Sequence, residues 1–352
     1  DMRIKKYFEA INEAISTAME IDKSVICYGL GVPDPKGVFG TTLGLQEKFG
    51  KERVFDMPTS ENAMTGVAIG ASLNGIRPVV VHQRLDFFLL AMDQLVNNAA
   101  KWHYMFGGQS SVPITIRLII GRGWGQGPTH SQNLQAIFAH IPGLKVVMPA
   151  TAGDAKGLLL SSIFDNNPVI FLEHRWLHNL EGDVPKGNYR IPIGKANHLN
   201  RGSDITIVSL SYMTIEALHA VEALEKEGIS CDLIDLRTIK PIDFDPIVTS
   251  VKKTGRLLAL DTGVRTGSIA GEIIARVSIE SFDSLIQSPE RITLPDFPTP
   301  TSSVLTRGFY RRTENIIDVV SNMLGRNLVG NKLIDRGNLP HDVPREWFKG
   351  PF

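Results

Sequence analysis

The chain has 352 residues, 43% hydrophobic and 21% charged, the balance of an ordinary globular protein too long for one typical core. Lys plus Arg and Asp plus Glu stand at 37 each, which leaves no overall field to draw nucleic acid or an anionic membrane surface. Cys27 and Cys231 lie far apart in apolar runs and read as buried strand thiols of a reducing compartment; no apolar run is long enough to span a bilayer, and the protein is read as cytoplasmic.

Along the first half, helix and strand signals alternate. "YFEAINEAISTAMEID" has helical spacing and "SVICYGL" is a short buried strand. "SENAMTGVAIGASLNG" predicts a helix leading into the strand "VVVHQR", and "FFLLAMDQLVNNAAKWHYM" predicts one long helix before the strand "PITIRLII". "THSQNLQAIFAHI" reads as helix, "LKVVMP" as strand, "AGDAKGLLLSSIFD" as helix and "PVIFLEH" as strand. Strands of unbroken β-branched residues between helices imply mainly parallel sheets covered on both faces. Residues 181–202 lose periodicity and gather Gly, Pro and Asn, as a linker does. A second unit, 203–326, repeats the alternation from "DITIVSLS" to "TENIIDVVSNML", and residues 327–352 read as an arm lying on a surface, a partner's included. The expectation is an α/β protein of two doubly wound domains, 1–180 and 203–326.

Glu61 is followed by fifteen residues without charge, up to Arg77. Thr59 or Ser60 can cap this helix, and a carboxylate in a first turn is favoured by the helix dipole, so capping is the plain reading. Gly66 and Gly70, with Ala63, Ala71 and Ser72 nearby, make a smooth face suited to close backbone packing. The loop "IIGRGWGQGPTHSQ" lacks the dinucleotide spacing G-x-G-x-x-G; it presents Arg122, Trp124 and His130 on a backbone that needs unusual angles. No Walker loop, H-E-x-x-H site, Cys/His cluster or G-x-S-x-G elbow occurs.

The order of "PTSENAMTGVAIGASLNGIRPV", "GPTHSQ", "HIPGLKVVMP", "DAKGLLLSSIFDNNPVIFLEH", "DLRTIKPID", "GSIAGEIIARV" and "PDFPTPTS" resembles the beta subunit of the thiamine-diphosphate-dependent first component of 2-oxoacid dehydrogenases, of pyruvate, branched-chain or acetoin type. The resemblance covers about residues 3–326 and implies a pyrimidine-binding domain followed by a transketolase C-terminal domain. It matches Glu61 to the carboxyl group that hydrogen-bonds the cofactor's aminopyrimidine and promotes deprotonation of its thiazolium, with Ser60 beside it. Phe87 matches the aromatic that stacks on the pyrimidine, where a core Phe is the plain alternative. His130 matches a histidine near the reacting centre. Ile114, Ser162, Ile163, Asp165 and Asn167 match a structural potassium site. The diphosphate and Mg²⁺ of this cofactor need a GDG motif, which is absent here. The resemblance therefore implies an alpha subunit that carries it, in an α2β2 assembly, with a lipoyl acyltransferase as a further partner.

Some residues depart from the dehydrogenase pattern. "VHQRLDF" brings His82, Arg84 and Asp86 near the cofactor position, and with Arg122 they could bind a phosphorylated or carboxylated substrate; ordinary surface charge is the alternative. "RGWGQGPTHSQ" and "EHRWLHN" also resemble transketolase-like proteins of sugar or surface-polysaccharide pathways, which makes half of a split transketolase-like enzyme the second reading. A non-catalytic regulatory subunit is the third, and the presence of Glu61 argues against it.

Overall fold

The computed structural model describes residues 1–123 and 125–350. Its strands run β1 (Met2–Lys6), β2 (Val25–Gly29), β3 (Val54–Asp56), β4 (Arg77–His82), β5 (Thr115–Ile120), β6 (Lys145–Val147), β7 (Val169–His174), β8 (Glu181–Pro185), β9 (Asn197–Asn200), β10 (Ile205–Ser209), β11 (Cys231–Asp235), β12 (Thr238–Lys240), β13 (Leu257–Val264) and β14 (Glu290–Leu294). Seven form one sheet in the order β12-β6-β7-β5-β4-β2-β3, parallel except for β12. Five form a second sheet, β14-β13-β10-β11-β9, parallel except for β9. Every residue of β5 and β7 is buried, as strands covered on both faces must be. Both cysteines are buried in strands, and burial pushes each thiol up to about 12. No helix among the described residues is long and apolar enough to cross a membrane.

The stretch without periodicity is not coil throughout. It supplies β8, antiparallel to β1, and β9, the edge of the second sheet. The second unit in turn lends β12 to the first sheet, antiparallel to β6. The two units share one apolar core, in which Ile116, Leu118 and Ile170 cluster with Val208, Ile234 and Leu257. Each such side chain contributes about 1.5–3 kcal/mol on burial, so the units are expected to unfold together. The other face of the large sheet is covered by the helices Tyr7–Ile21 and Ala152–Ile163.

Two expectations from periodicity need correction. The single helix over 87–105 is instead a helical turn Leu85–Phe88, a 3₁₀ turn Leu89–Ala91, a π-helical stretch Gln94–Ala99 and a last turn Trp102–Met105. Its buried residues Leu85, Phe88, Ala91, Leu95 and Ala99 are spaced by threes and then fours, so the backbone tightens and then widens to keep them on the core. The helix over 129–141 begins only at Gln135, because Asp86 accepts from the Gln132 amide side chain at 2.8 Å and holds that segment as a loop.

The arm folds back on its own chain. Asp342 pairs with Arg122 at 3.0 Å, Trp347 Nε1 donates to the Trp176 carbonyl at 2.8 Å, and Val343 and Phe348 join the core.

Where the two units meet, Arg237 grips Asp154 through two bonds of 2.7 and 2.8 Å, and the fully buried Asp235 lies beside them. Burial, and then the charge of Asp154, raise the Asp235 carboxyl to about 7. A raised folded-state value means that stability is full below the unfolded value near 4 and falls as pH rises through 7. Asp235→Asn removes this loss. Its melting temperature is expected to exceed that of the parent by several degrees more at pH 8 than at pH 5, and an equal difference at both would refute the assignment.

Candidate active site

Glu61 opens the helix Glu61–Ser72, and its residue is only 8% exposed. Ser60 precedes it at the surface and makes no capping bond, so capping by that hydroxyl does not explain the position. Among the described residues the Glu61 carboxyl has no hydrogen bond or ion pair. The side chain is mostly buried while its carboxyl oxygens reach solvent, so in the chain alone the acid is held in place and open to another partner. Tyr28 anchors this helix by donating to the Met64 carbonyl at 2.7 Å. The helix packs on the 3₁₀ and π turns that follow Phe87.

Phe87 is 37% exposed in the helical turn Leu85–Phe88 that follows β4, whereas its neighbour Phe88 is buried. The exposed ring meets His130 edge-on, with centroids 5.2 Å apart and planes at 87°. His130 is itself exposed, with Nδ1 3.1 Å from Thr129 Oγ1. Residues 43 positions apart in the sequence thus touch. The glycine loop that delivers His130 is held tightly. Gly121 has φ +80°, and a Cβ there would lie 2.5 Å from the His174 ring; a Cβ at Gly127 would lie 2.1 Å from Thr301 Oγ1. Trp124 lies outside the described residues. Beyond the loop, Pro128, Gln132 and Leu134 face Val264, Asp296 and Phe297 across a cavity of about 420 Å³.

The three residues weighed as substrate contacts are all internal. His82 is 1% exposed, and both ring nitrogens lack partners; burial lowers it to about 4, so the ring is neutral and packs edge-on to Phe88. Arg84 donates to the Gly121 carbonyl at 2.6 Å and to Gln126, bracing the glycine loop. Arg122 donates to the carbonyls of Gln126 and Thr301 at 3.0 and 2.8 Å besides pairing with Asp342.

At the positions matched to potassium, the carbonyls of Ile163 and Asp165 accept from Arg77 at 3.3 and 3.0 Å, and the Asn166 side chain accepts at 2.6 Å. The Ser162 carbonyl accepts from Asp165 N, the Ile114 carbonyl from Val169 N, and the Asp165 carboxylate from Lys145 and the Asn167 amide. This corner gathers carbonyl oxygens, each with a second lone pair. No group of three or more His, Cys, Asp or Glu able to hold a metal occurs among the described residues.

Residues 5–179 match the transketolase pyrimidine-binding domain, and residues 194–316 match the transketolase C-terminal domain. The chain is 44% identical, over 84% of its length and 90% of the relative's, to the beta subunit of acetoin:2,6-dichlorophenolindophenol oxidoreductase of Cupriavidus necator. It is 40% identical to the pyruvate dehydrogenase E1 component subunit beta of Porphyra purpurea, over 90% and 96% of the two chains. It is 42% identical to the 2-oxoisovalerate dehydrogenase subunit beta of Bacillus subtilis, over 84% and 91%. A solved split-gene transketolase, an inactive beta4 tetramer, shares the fold with a TM-score of 0.73 at 23% identity, over 91% and 98% of the two chains. The chain therefore belongs to the family of beta subunits of 2-oxoacid dehydrogenase first components, built from the two transketolase domains.

Proposed function

We propose that this chain is the pyrimidine-binding half of a thiamine-diphosphate-dependent 2-oxoacid dehydrogenase, working with an alpha subunit in an α2β2 assembly. The observations that support the reading are the unpartnered carboxyl of Glu61, at the head of a helix that packs on the turns after Phe87, and the exposed Phe87–His130 pair. Thiamine diphosphate, when bound, supplies the carbanion chemistry that releases CO₂ from a 2-oxoacid. Glu61 would share a proton between its carboxyl oxygen and the pyrimidine ring nitrogen, the step that needs a carboxyl free of other partners. Phe87 would offer its exposed ring as the stacking surface. His130, exposed beside it, would donate a proton or hydrogen bond to the substrate-derived oxygen, or serve transfer to a lipoyl group. Arg84 positions the glycine loop by its bond to Gly121.

Diphosphate and Mg²⁺ would be gripped by the GDG motif of the alpha subunit. Calorimetry on the chain alone is then expected to give no measurable thiamine diphosphate binding, with binding restored by the partner; micromolar affinity without the partner would contradict the division of labour. Potassium would bind among the carbonyls of Ile114, Ser162, Ile163, Asp165 and Asn167, sharing two of them with Arg77. The expected result is a higher melting temperature in potassium than in choline chloride at equal ionic strength; identical melting would remove the site.

A further inference from the structure

We propose that the cavity between the loop after β2 and the turn after β7 binds an oxyanion, a phosphate or carboxylate group of a small polar molecule, through Arg175. The cavity measures about 950 Å³, and Asp34, Lys36, Phe39, Gln83, Arg175 and Asn179 line it. Glu61, Phe87 and His130 do not line it, and the proposal does not depend on the reading given for them.

Arg175 is the reason. It is only 6% exposed, in the 3₁₀ turn Arg175–Leu177, yet among the described residues no carboxylate lies within ion-pair distance of it. Its Nε has no partner, and its Nη1 reaches only His178 Nδ1, at 3.4 Å. The nearest buried acid is already engaged: Glu173 takes two bonds from Arg117, at 2.6 and 2.8 Å, and one from His178 Nε2 at 3.0 Å. Burial lowers His178 to about 4, so at neutral pH its Nε2–H donates to Glu173 and its Nδ1 accepts from Arg175. The histidine fixes the guanidinium without neutralising it. A second cation, Arg84, sits close enough to lower Arg175 further, after burial, to about 10, still well charged at neutral pH. An uncompensated buried cation is costly, and a bidentate oxyanion is the ligand that guanidinium geometry suits.

The walls are built for the purpose. Arg175 lies 4.1 Å from the centroid of the Phe39 ring, and Phe39 stacks on His178 at 5.7 Å. Phe39 holds φ +50°, a left-handed conformation that a bulky residue adopts only where its surroundings impose it. The loop carrying it is pinned at its base, where Asp56 accepts from the amides of Gly31 and Val32 at 2.9 Å. Lys36 adds charge at the exposed rim, while Gln83, Asn179 and Asp34 can bond hydroxyl groups of the molecule that carries the anion. Asp34 stands on the rim without pairing to Arg175, so it does not cancel the charge.

The test titrates the full chain with inorganic phosphate and, separately, with malonate, against chloride at matched ionic strength, by calorimetry and thermal melting. A saturable response to at least one is expected, weakened at least tenfold in Arg175→Gln and severalfold in Lys36→Gln. Phosphate alone, or malonate alone, identifies the source of the oxyanion. Glu61→Gln should bind as the parent does, which keeps this site distinct from the catalytic reading. No saturable response to either anion, or equal affinities in the parent and Arg175→Gln, overturns the proposal. Should Arg175→Gln fail to fold, unchanged affinity in the exposed Lys36→Gln rejects it.

Discussion

Replacing Glu61 with Ala or Gln is expected to lower cofactor-dependent turnover of the reconstituted complex by about 10²–10⁴-fold, the usual contribution of a placed proton-transfer group. Stability should barely change. The carboxyl has no partner to abandon, so what remains at stake is its first-turn interaction with the helix dipole, about 0.3–1 kcal/mol when exposed. The split between activity and stability separates the two readings of this residue. A purely capping acid would do the reverse, costing melting temperature and leaving turnover nearly intact. Gln is the sharper variant, because it keeps shape and hydrogen-bonding reach and loses only the exchangeable carboxyl proton. Near-normal turnover in Glu61→Gln would rule out the proposed role.

The largest effect on stability is expected from Glu173→Gln. Arg117 and Glu173, both fully buried on β5 and β7, form a two-bond ion pair in the middle of the large sheet. Burial alone would raise the Glu173 carboxyl, but the charge of Arg117 and the bond from His178 outweigh it and hold the group ionised. Taking away the negative charge leaves Arg117 buried and unbalanced, with its Nη1 already lacking a partner. The expected cost is about 3–5 kcal/mol, measured as a shift in the denaturation midpoint. Replacing both residues together, Arg117→Met with Glu173→Leu, should cost much less than either change alone, because no buried charge is then stranded. If the double variant is as unstable as the sum of the singles, the pair is not coupled and this account of the sheet interior is wrong. The same substitution loosens His178, which Glu173 holds, and through it Arg175.

The parallel strands other than β3 were readable because most are runs of β-branched and aliphatic residues buried on both sides, as in "TIRLII" and "VIFLEH". β8, β9 and β12 were not. Their sequences, "EGDVP", "NHLN" and "TIK", are short antiparallel edge pairings that rest on backbone bonds rather than on an apolar pattern. The break in the helix after Phe87 escaped periodicity because apolar residues stand at helical spacing whichever way the backbone tightens. At the site, Glu61 alone has a sequence signal of its own, an acid heading an uncharged run; Phe87 and His130 needed the family resemblance, since nothing local says that they touch. The arginines show the sharpest contrast. Arg84 and Arg122 look like free mouth charges in sequence and prove to be braces of the glycine loop. Arg175 is buried without a carboxylate partner among the described residues, and that depends on which acids fold next to it.

The most direct measurement is the structure of the chain assembled with its alpha partner and thiamine diphosphate. The account predicts a Glu61 carboxyl oxygen at about 2.6–3.0 Å from the pyrimidine ring nitrogen, within ordinary hydrogen-bond range. A Glu61 side chain turned into bulk water, with the pyrimidine elsewhere, would contradict it.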